Sequence, residues 1–227
     1  MGITRQKKKE ISVSFDDLLK GYQSFRSGDF EAHKALFQKL VTEGQSPDVM
    51  MVSCCDSRVD PNMITQADPG SMFVVRNVAN LVPPYKADGE SHGTSAALEF
   101  AVCHLEVKHI IVMGHAHCGG IKALMSGDIN KDTGGDFILP WMKAISEARK
   151  RVDRKFGQDS EERRVRELEL EGVRVSLDNL MTFDWVRDRV NTGDLSIHGW
   201  FFDIEAGEVL ALDQKTDQFA SLSTEVN

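Results

Sequence analysis

"HIIVMGH", His109 to His115, is apolar from Ile110 to Met113 without a polar break. A strand with one wet face alternates; an unbroken apolar run of this length belongs to a central parallel strand covered on both sides. Working outward, "CGGIKALM" (118–125) turns into a helix. Upstream, residues 94–107 ("TSAALEFAVCHLEV") carry Ala97, Leu98, Ala101, Val102 and Leu105 as a helical stripe. Phe100 and Cys103 fall outside that stripe, so this helix is expected to be buried on two faces, one against a partner chain. "DVMMVSC" (48–54), entered after Pro47, reads as a second buried strand, and Met72–Val75 as a third. Residues 13–44 read as two helices broken near Gly28. Residues 140–190 read as mostly helical, with a charged middle from Arg149 to Glu171 that resembles an insertion. "LSIHGWFFDIEAGEVLAL" (195–212) reads as a terminal hairpin turned at Glu-Ala-Gly. Strands alternating with helices imply an α/β domain whose mainly parallel sheet is flanked by helices.

The chain has 227 residues, 41% hydrophobic and 27% charged, the profile of a globular protein. Its net charge of -8 argues against nucleic acid as a partner, because phosphate binding needs a concentrated basic face. The basic run Arg5–Lys9 reads as a solvated terminus. No apolar stretch approaches the roughly 18 residues of a membrane span. The N-terminus lacks an apolar signal core, and Gln6 stands where N-acylation wants Ser or Thr. Four cysteines in such a chain read as reduced or metal-bound thiols and a cytoplasmic location.

Two loops carry the reactive side chains. "CCDSR" places Cys54, Asp56 and Arg58 just past one strand; His115 and Cys118 follow another as H-x-x-C. Sites in open parallel sheets form at the carboxyl ends of neighbouring strands. If these two strands are neighbours, Cys54, His115 and Cys118 converge. Two thiolates and an imidazole suit zinc and leave its fourth position open. Asp56 could fill that position or face the water there, and Arg58, two residues on, would hold the carboxylate by a charge pair. Gly114, Gly119 and Gly120 allow a tight turn and close backbone approach. A buried strand end and a redox pair remain as readings, the latter weakened because C-x-x-C is absent. Cys55 and Cys103 read as small hydrophobes. His33, His92, His104, His109, His117 and His198 read as surface or structural groups.

The stretches "CCDSRVDP", "FVVRNVANLVPPY", "HGTSAALEFAV", "GHAHCGGIKALM", "VSLDNLM" and "IHGWFFDI" together resemble the β-class carbonic anhydrases, over about Gln45 to Asp213. The resemblance implies a zinc lyase that hydrates carbon dioxide reversibly to bicarbonate and a proton, with one Zn2+ per chain on Cys54, His115 and Cys118. It implies Asp56 and Arg58 as the catalytic dyad. It also implies a substrate pocket of Phe73, Val78 and Phe100, with Gln45 and the Gly119 backbone as donors; Gln45, Phe73 and Phe100 would come from the neighbouring subunit. The expected partners are thus carbon dioxide or bicarbonate and a second copy of the chain, as a homodimer or dimer of dimers. Residues 1–44 would form a helical arm of the same domain, 45–215 the zinc-containing α/β catalytic part and 216–227 a tail. Three positions depart from common patterns. Phe100 stands where many members have Tyr, Cys55 where Ser or Ala is usual, and Met51 where one bacterial branch has a Trp that helps stabilise an inactive state. An open site with Asp56 off the metal is therefore expected. Hydrolysis of carbonyl sulfide or carbon disulfide, or a closed non-catalytic zinc centre, are the other functions this ligand set allows.

Overall fold

A computed structural model describes residues 13–127 and 135–222. The basic run Arg5–Lys9, Gln6 and the last five residues of the expected tail lie outside the described residues. The chain divides into two compact units, Met1–Gln45 and Ser46–Asn227.

The first unit holds α1 (Phe15–Ser27), α2 (Asp29–Ala32) and α3 (Lys34–Glu43). Ser14 caps α1 reciprocally: its hydroxyl accepts from Asp17 N, and the Asp17 carboxylate accepts from Ser14 N at 3.1 Å. The break expected near Gly28 is present. A second break at His33, whose φ/ψ of -101°/11° leaves the helical region, makes three segments of the expected two helices.

In the second unit the order is β1 (Val49–Cys54), α4 (Pro61–Thr65), β2 (Met72–Asn77), α5 (Gly93–Glu99), β3 (His109–His115), α6 (Gly119–Ser126), α7 (Ile138–Met142), α8 (Ser146–Phe156), α9 (Glu161–Leu180), α10 (Asp184–Thr192), β4 (Ser196–Asp203), β5 (Glu208–Asp213) and β6 (Gln218–Ser221). The sheet order is β2-β1-β3-β4-β5-β6. β2, β1, β3 and β4 are parallel; β5 and β6 run antiparallel at the edge. The terminal hairpin therefore continues into a further strand, where the sequence read only a tail. Its backbone needs β5 as a partner, a non-local requirement that its four residues do not announce.

The unbroken apolar runs are covered on both faces. Met50, Val52, Ile110 and Val112 pack with Val173 and Leu177 of α9, while Met51, Ile111 and Met113 face Val59, Trp200 and Phe202. Each such fully buried side chain contributes about 1.5–3 kcal/mol. The charged segment is no peripheral insertion: α9 packs against β3 and β4, burying Leu168, Gly172, Val173, Ser176, Leu177 and Leu180. Apart from the buried Glu169, its acidic and basic side chains keep solvent contact, in pairs such as Arg163–Glu167 at 2.8 Å. The helix expected over 94–107 changes pitch after α5. A π-turn covers Phe100–His104, closed by Leu105 N donating to Phe100 O at 3.0 Å. Leu98, Ala101 and Val102 are buried as the stripe requires. Phe100 (44% exposed) and Cys103 are open in the isolated chain.

Candidate active site

β1 and β3 are adjacent and parallel, with Ser53 beside Met113. Cys54 therefore ends one strand level with Gly114, and His115 ends the next. Past His115 the chain reverses through His117, at φ 58°, and Cys118 becomes the cap residue of α6. The ligand atoms of Cys54, His115 and Cys118 lie within 4.8 Å of one another, and all three residues are buried.

The two sulfurs compete for one proton. The Cys118 S–H donates to Cys54 and holds that thiol down at about 4, against burial; the same contact, together with burial, pushes Cys118 up. Two thiolates here call for a cation. Burial opposes charge on His115, but the Cys54 sulfur beside it outweighs burial and raises it. His115 Nδ1 pairs with Ala116 O at 2.9 Å, which leaves Nε2 as the acceptor; that atom is buried with no hydrogen-bond partner among the described residues. An oriented, orphaned imidazole nitrogen beside two buried sulfurs fits zinc.

Asp56 and Arg58 form a bidentate pair, Nε to Oδ1 at 2.9 Å and Nη2 to Oδ2 at 2.7 Å, and Arg58 N also donates to Oδ1 at 2.9 Å. The guanidinium holds the Asp56 carboxyl well below the usual carboxylate range, against partial burial. Arg58 Nη2 also donates to His117 O at 2.9 Å, tying the pair to the ligand loop. Asp56 is outside the three-residue cluster, with both oxygens turned to Arg58.

Of the expected pocket, Val78 lies against Gly120, and the Phe73 and Phe100 rings sit 5.8 Å apart. Gly119 opens α6, so its N–H is one of the first-turn donors that a helix leaves unpaired. Gln45 is exposed at the end of the first unit. Of the two roles expected of the glycines, close approach is met and the turn is not. The turn is made by His117, whereas Gly114 and Gly120 serve close packing: a Cβ there would meet Val173 Cγ2 at 2.7 Å and Val78 Cγ1 at 2.8 Å. Around Gly119 nothing lies within 4 Å. Gly114→Ala is accordingly expected to cost about 1–3 kcal/mol through overpacking against stiff Val173, and Gly119→Ala about 0.5 kcal/mol or less. Urea melts of the two variants check this; equal stabilities would refute it.

Two supporting residues escaped the sequence reading. Arg76 clamps the loop after β1 by donating to the carbonyls of Cys54 (3.0 Å), Asp56 (2.8 Å) and Val59 (2.7 Å). Glu169, 4% exposed, accepts from Cys118 N at 2.9 Å, and burial pushes its carboxyl up to about 7. The signal for Glu169 was its place on the α9 stripe with Gly172, Val173 and Ser176. Arg76 offered none, since a lone arginine in a strand looks like any other surface cation.

The sequence model of the family described as carbonic anhydrase matches residues 49–209. The chain belongs to the β-class carbonic anhydrases. It is 38% identical to a carbonic anhydrase of Synechocystis sp. over 210 residues, 92% of this chain and 75% of that one. The solved β-carbonic anhydrase CcaA superposes with a TM-score of 0.85 at 38% identity, covering 91% of this chain and 98% of that one. Tetrameric β-carbonic anhydrases of Sordaria macrospora superpose at 0.74 and 30% identity, over 87% and 96% of the two chains. As a β-carbonic anhydrase this chain is a carbonate dehydratase that depends on zinc, and the buried Cys-His-Cys cluster suits that metal. Neither a sulfur-substrate hydrolase nor a closed structural zinc centre is favoured. Among the described residues all four cysteines are unbonded.

Proposed function

We propose that Cys54 and Cys118, as thiolates, and His115, through Nε2, hold the zinc for reversible carbon dioxide hydration, with Asp56 and Arg58 as the catalytic dyad. The orphaned Nε2 of His115 between two buried sulfurs is the observation that carries this assignment. Bound zinc supplies a nucleophile by lowering the pKa of water toward neutrality. Asp56, kept ionised by Arg58, can only accept hydrogen bonds. It therefore takes the proton-bearing side of the nucleophile and turns a lone pair toward the substrate. Arg58 fixes the plane of Asp56 through its bidentate grip and anchors both to the ligand loop. Carbon dioxide offers no charge or donor to hold, so Val78, Phe73 and Phe100 confine it by shape, while Gln45 and the Gly119 N–H stabilise charge growing on its oxygens. Phe100 contributes no hydroxyl there. Met51, fully buried within β1, offers no indole to an inactivating bicarbonate, which supports an open resting site. A stopped-flow carbon dioxide hydration assay on metal-quantified protein tests the whole reading: zinc-loaded protein without hydration activity overturns it.

The finer assignments belong to the same proposal. The chain works as a homodimer able to pair into a dimer of dimers, each site receiving Gln45, Phe73 and Phe100 from its neighbour. Support comes from the exposed arm residues Phe15 (73%), Leu18 (62%) and Tyr22 (62%) on α1 and Val41 (84%) on α3, too much apolar surface for helices that work alone in water. Residues 1–44 would serve this contact, with 45–215 as the catalytic part. Sedimentation at assay concentration is expected to find no monomer, and an active monomer refutes the shared site. The small number of cysteines, four in 227 residues, favours a cytoplasmic location. No helix among the described residues is long and apolar enough to cross a membrane.

A further inference from the structure

One peptide bond links the metal ligands to the dyad, and it is held at both ends. Its carbonyl, from His117, accepts from Arg58 Nη2 at 2.9 Å; its N–H, from Cys118, donates to Glu169 Oε1 at 2.9 Å. No peptide here is cis, so the two groups point in opposite directions across one rigid plane. His117 sits at φ 58°, a conformation that a non-glycine residue keeps only when its surroundings impose it. The peptide that follows it is held by two side chains from distant segments, one on the loop after β1 and one on α9, while Glu205, past β4, pairs with the His117 ring at 3.0 Å. Glu169 is also an expensive residue to bury: at 4% exposure, among Leu168, Gly172 and Val173, a carboxyl requires a specific partner. Its partner is the Cys118 amide.

We propose that Glu169 is a positioning residue. It grips the Cys118 peptide from the end opposite Arg58, so that Asp56, Arg58, the His117–Cys118 peptide and Glu169 form one rigid chain setting the third zinc ligand and the dyad relative to each other. The inference rests on the reading of Asp56 and Arg58 as the dyad. Glu169 touches neither substrate nor metal ligand atoms. What matters is its reach. An aspartate at 169 is shorter by one methylene, about 1.5 Å, and leaves the Cys118 N–H buried without an acceptor; a glutamine keeps an oxygen at the same distance.

The test is made on zinc-loaded enzyme with two variants, one that keeps the carboxylate but shortens its reach and one that keeps the reach but removes the charge. Glu169→Asp is expected to release zinc to a chelator about 10–100-fold faster than wild type, the usual range for losing a group that orients a metal ligand. Its kcat should fall about tenfold with KM within about twofold, since the residue does not reach the substrate. Glu169→Gln should stay within about threefold of wild type in both readouts because the amide oxygen still accepts from Cys118. Cobalt-substituted Glu169→Asp should show an altered visible spectrum and Glu169→Gln the wild-type one. Wild-type zinc release and kcat in Glu169→Asp overturn the proposal, as does a lowered melting temperature with both readouts unchanged. A Glu169→Gln variant as impaired as Glu169→Asp overturns it too, since charge would then be the cause. Asp56→Ala run alongside separates the two readings. If it keeps full turnover, the dyad assignment fails, while zinc release still decides the role of Glu169. If it loses turnover and Glu169→Asp is normal, only the inference about Glu169 fails.

Discussion

Cys118→Ser is expected to lose zinc and carbon dioxide hydration together. Cys118 is 1% exposed and supplies one of the three clustered ligand atoms found among the described residues. A serine hydroxyl is close to it in size but is neither ionised nor soft, so it does not replace a thiolate toward zinc. The backbone should be spared: the hydrogen bond to Glu169 uses the Cys118 amide, and the sulfur's apolar neighbours accept a group of similar volume. Turnover is expected to drop on the order of a thousandfold or more, because without metal nothing lowers the pKa of water from about 15.7 toward neutrality. Metal content by atomic emission, turnover and far-ultraviolet circular dichroism are measured on one sample. Full zinc with normal turnover would remove Cys118 from the ligand set; a lost fold would appear in the dichroism and be separated from loss of metal.

Asp56→Ala should give the opposite pairing, zinc kept and turnover lost. Both Asp56 oxygens are turned to Arg58 and the residue stands outside the ligand cluster, so its removal takes no bond from the metal. What disappears is the acceptor proposed to orient the nucleophile, a role worth about 10²–10⁴-fold in kcat. Global stability should change little, because Arg58, with a side chain 49% exposed, stays solvated when the 16% exposed Asp56 is removed. Arg58→Ala is expected to lose activity by a different route. Asp56 then has nothing fixing its plane and can turn toward the metal, which a changed spectrum of the cobalt-substituted variant would reveal. Wild-type rates in both variants would end the dyad assignment.

The sequence carried the reactive groups and the layer they sit on. An apolar run from Ile110 to Met113 can be satisfied only by a strand covered on both faces, and burial of that kind is written in composition over a few residues. Cys54, Asp56, Arg58, His115 and Cys118 were legible for a similar reason: their spacing along two short loops already limits where their side chains can go. Other features belong to pairings between distant segments. That β1 lies beside β3 rather than at the sheet edge, and so brings Cys54 to His115, is a property of the sheet order. That Arg58 reaches His117, 59 residues away, and Glu169 reaches Cys118, 51 residues away, depends on how the helices settle on that sheet. The same holds for Gly114, whose missing side chain matters only because Val173 arrives 2.7 Å from where a Cβ would stand. Hydrophobic period reports which way a residue faces, not which segment it will meet. The kinds of ligand were therefore determined by the chain itself, whereas the orientation of His115, the two-sided grip on the Cys118 peptide and the pairing of β6 were decided only when the tertiary structure closed.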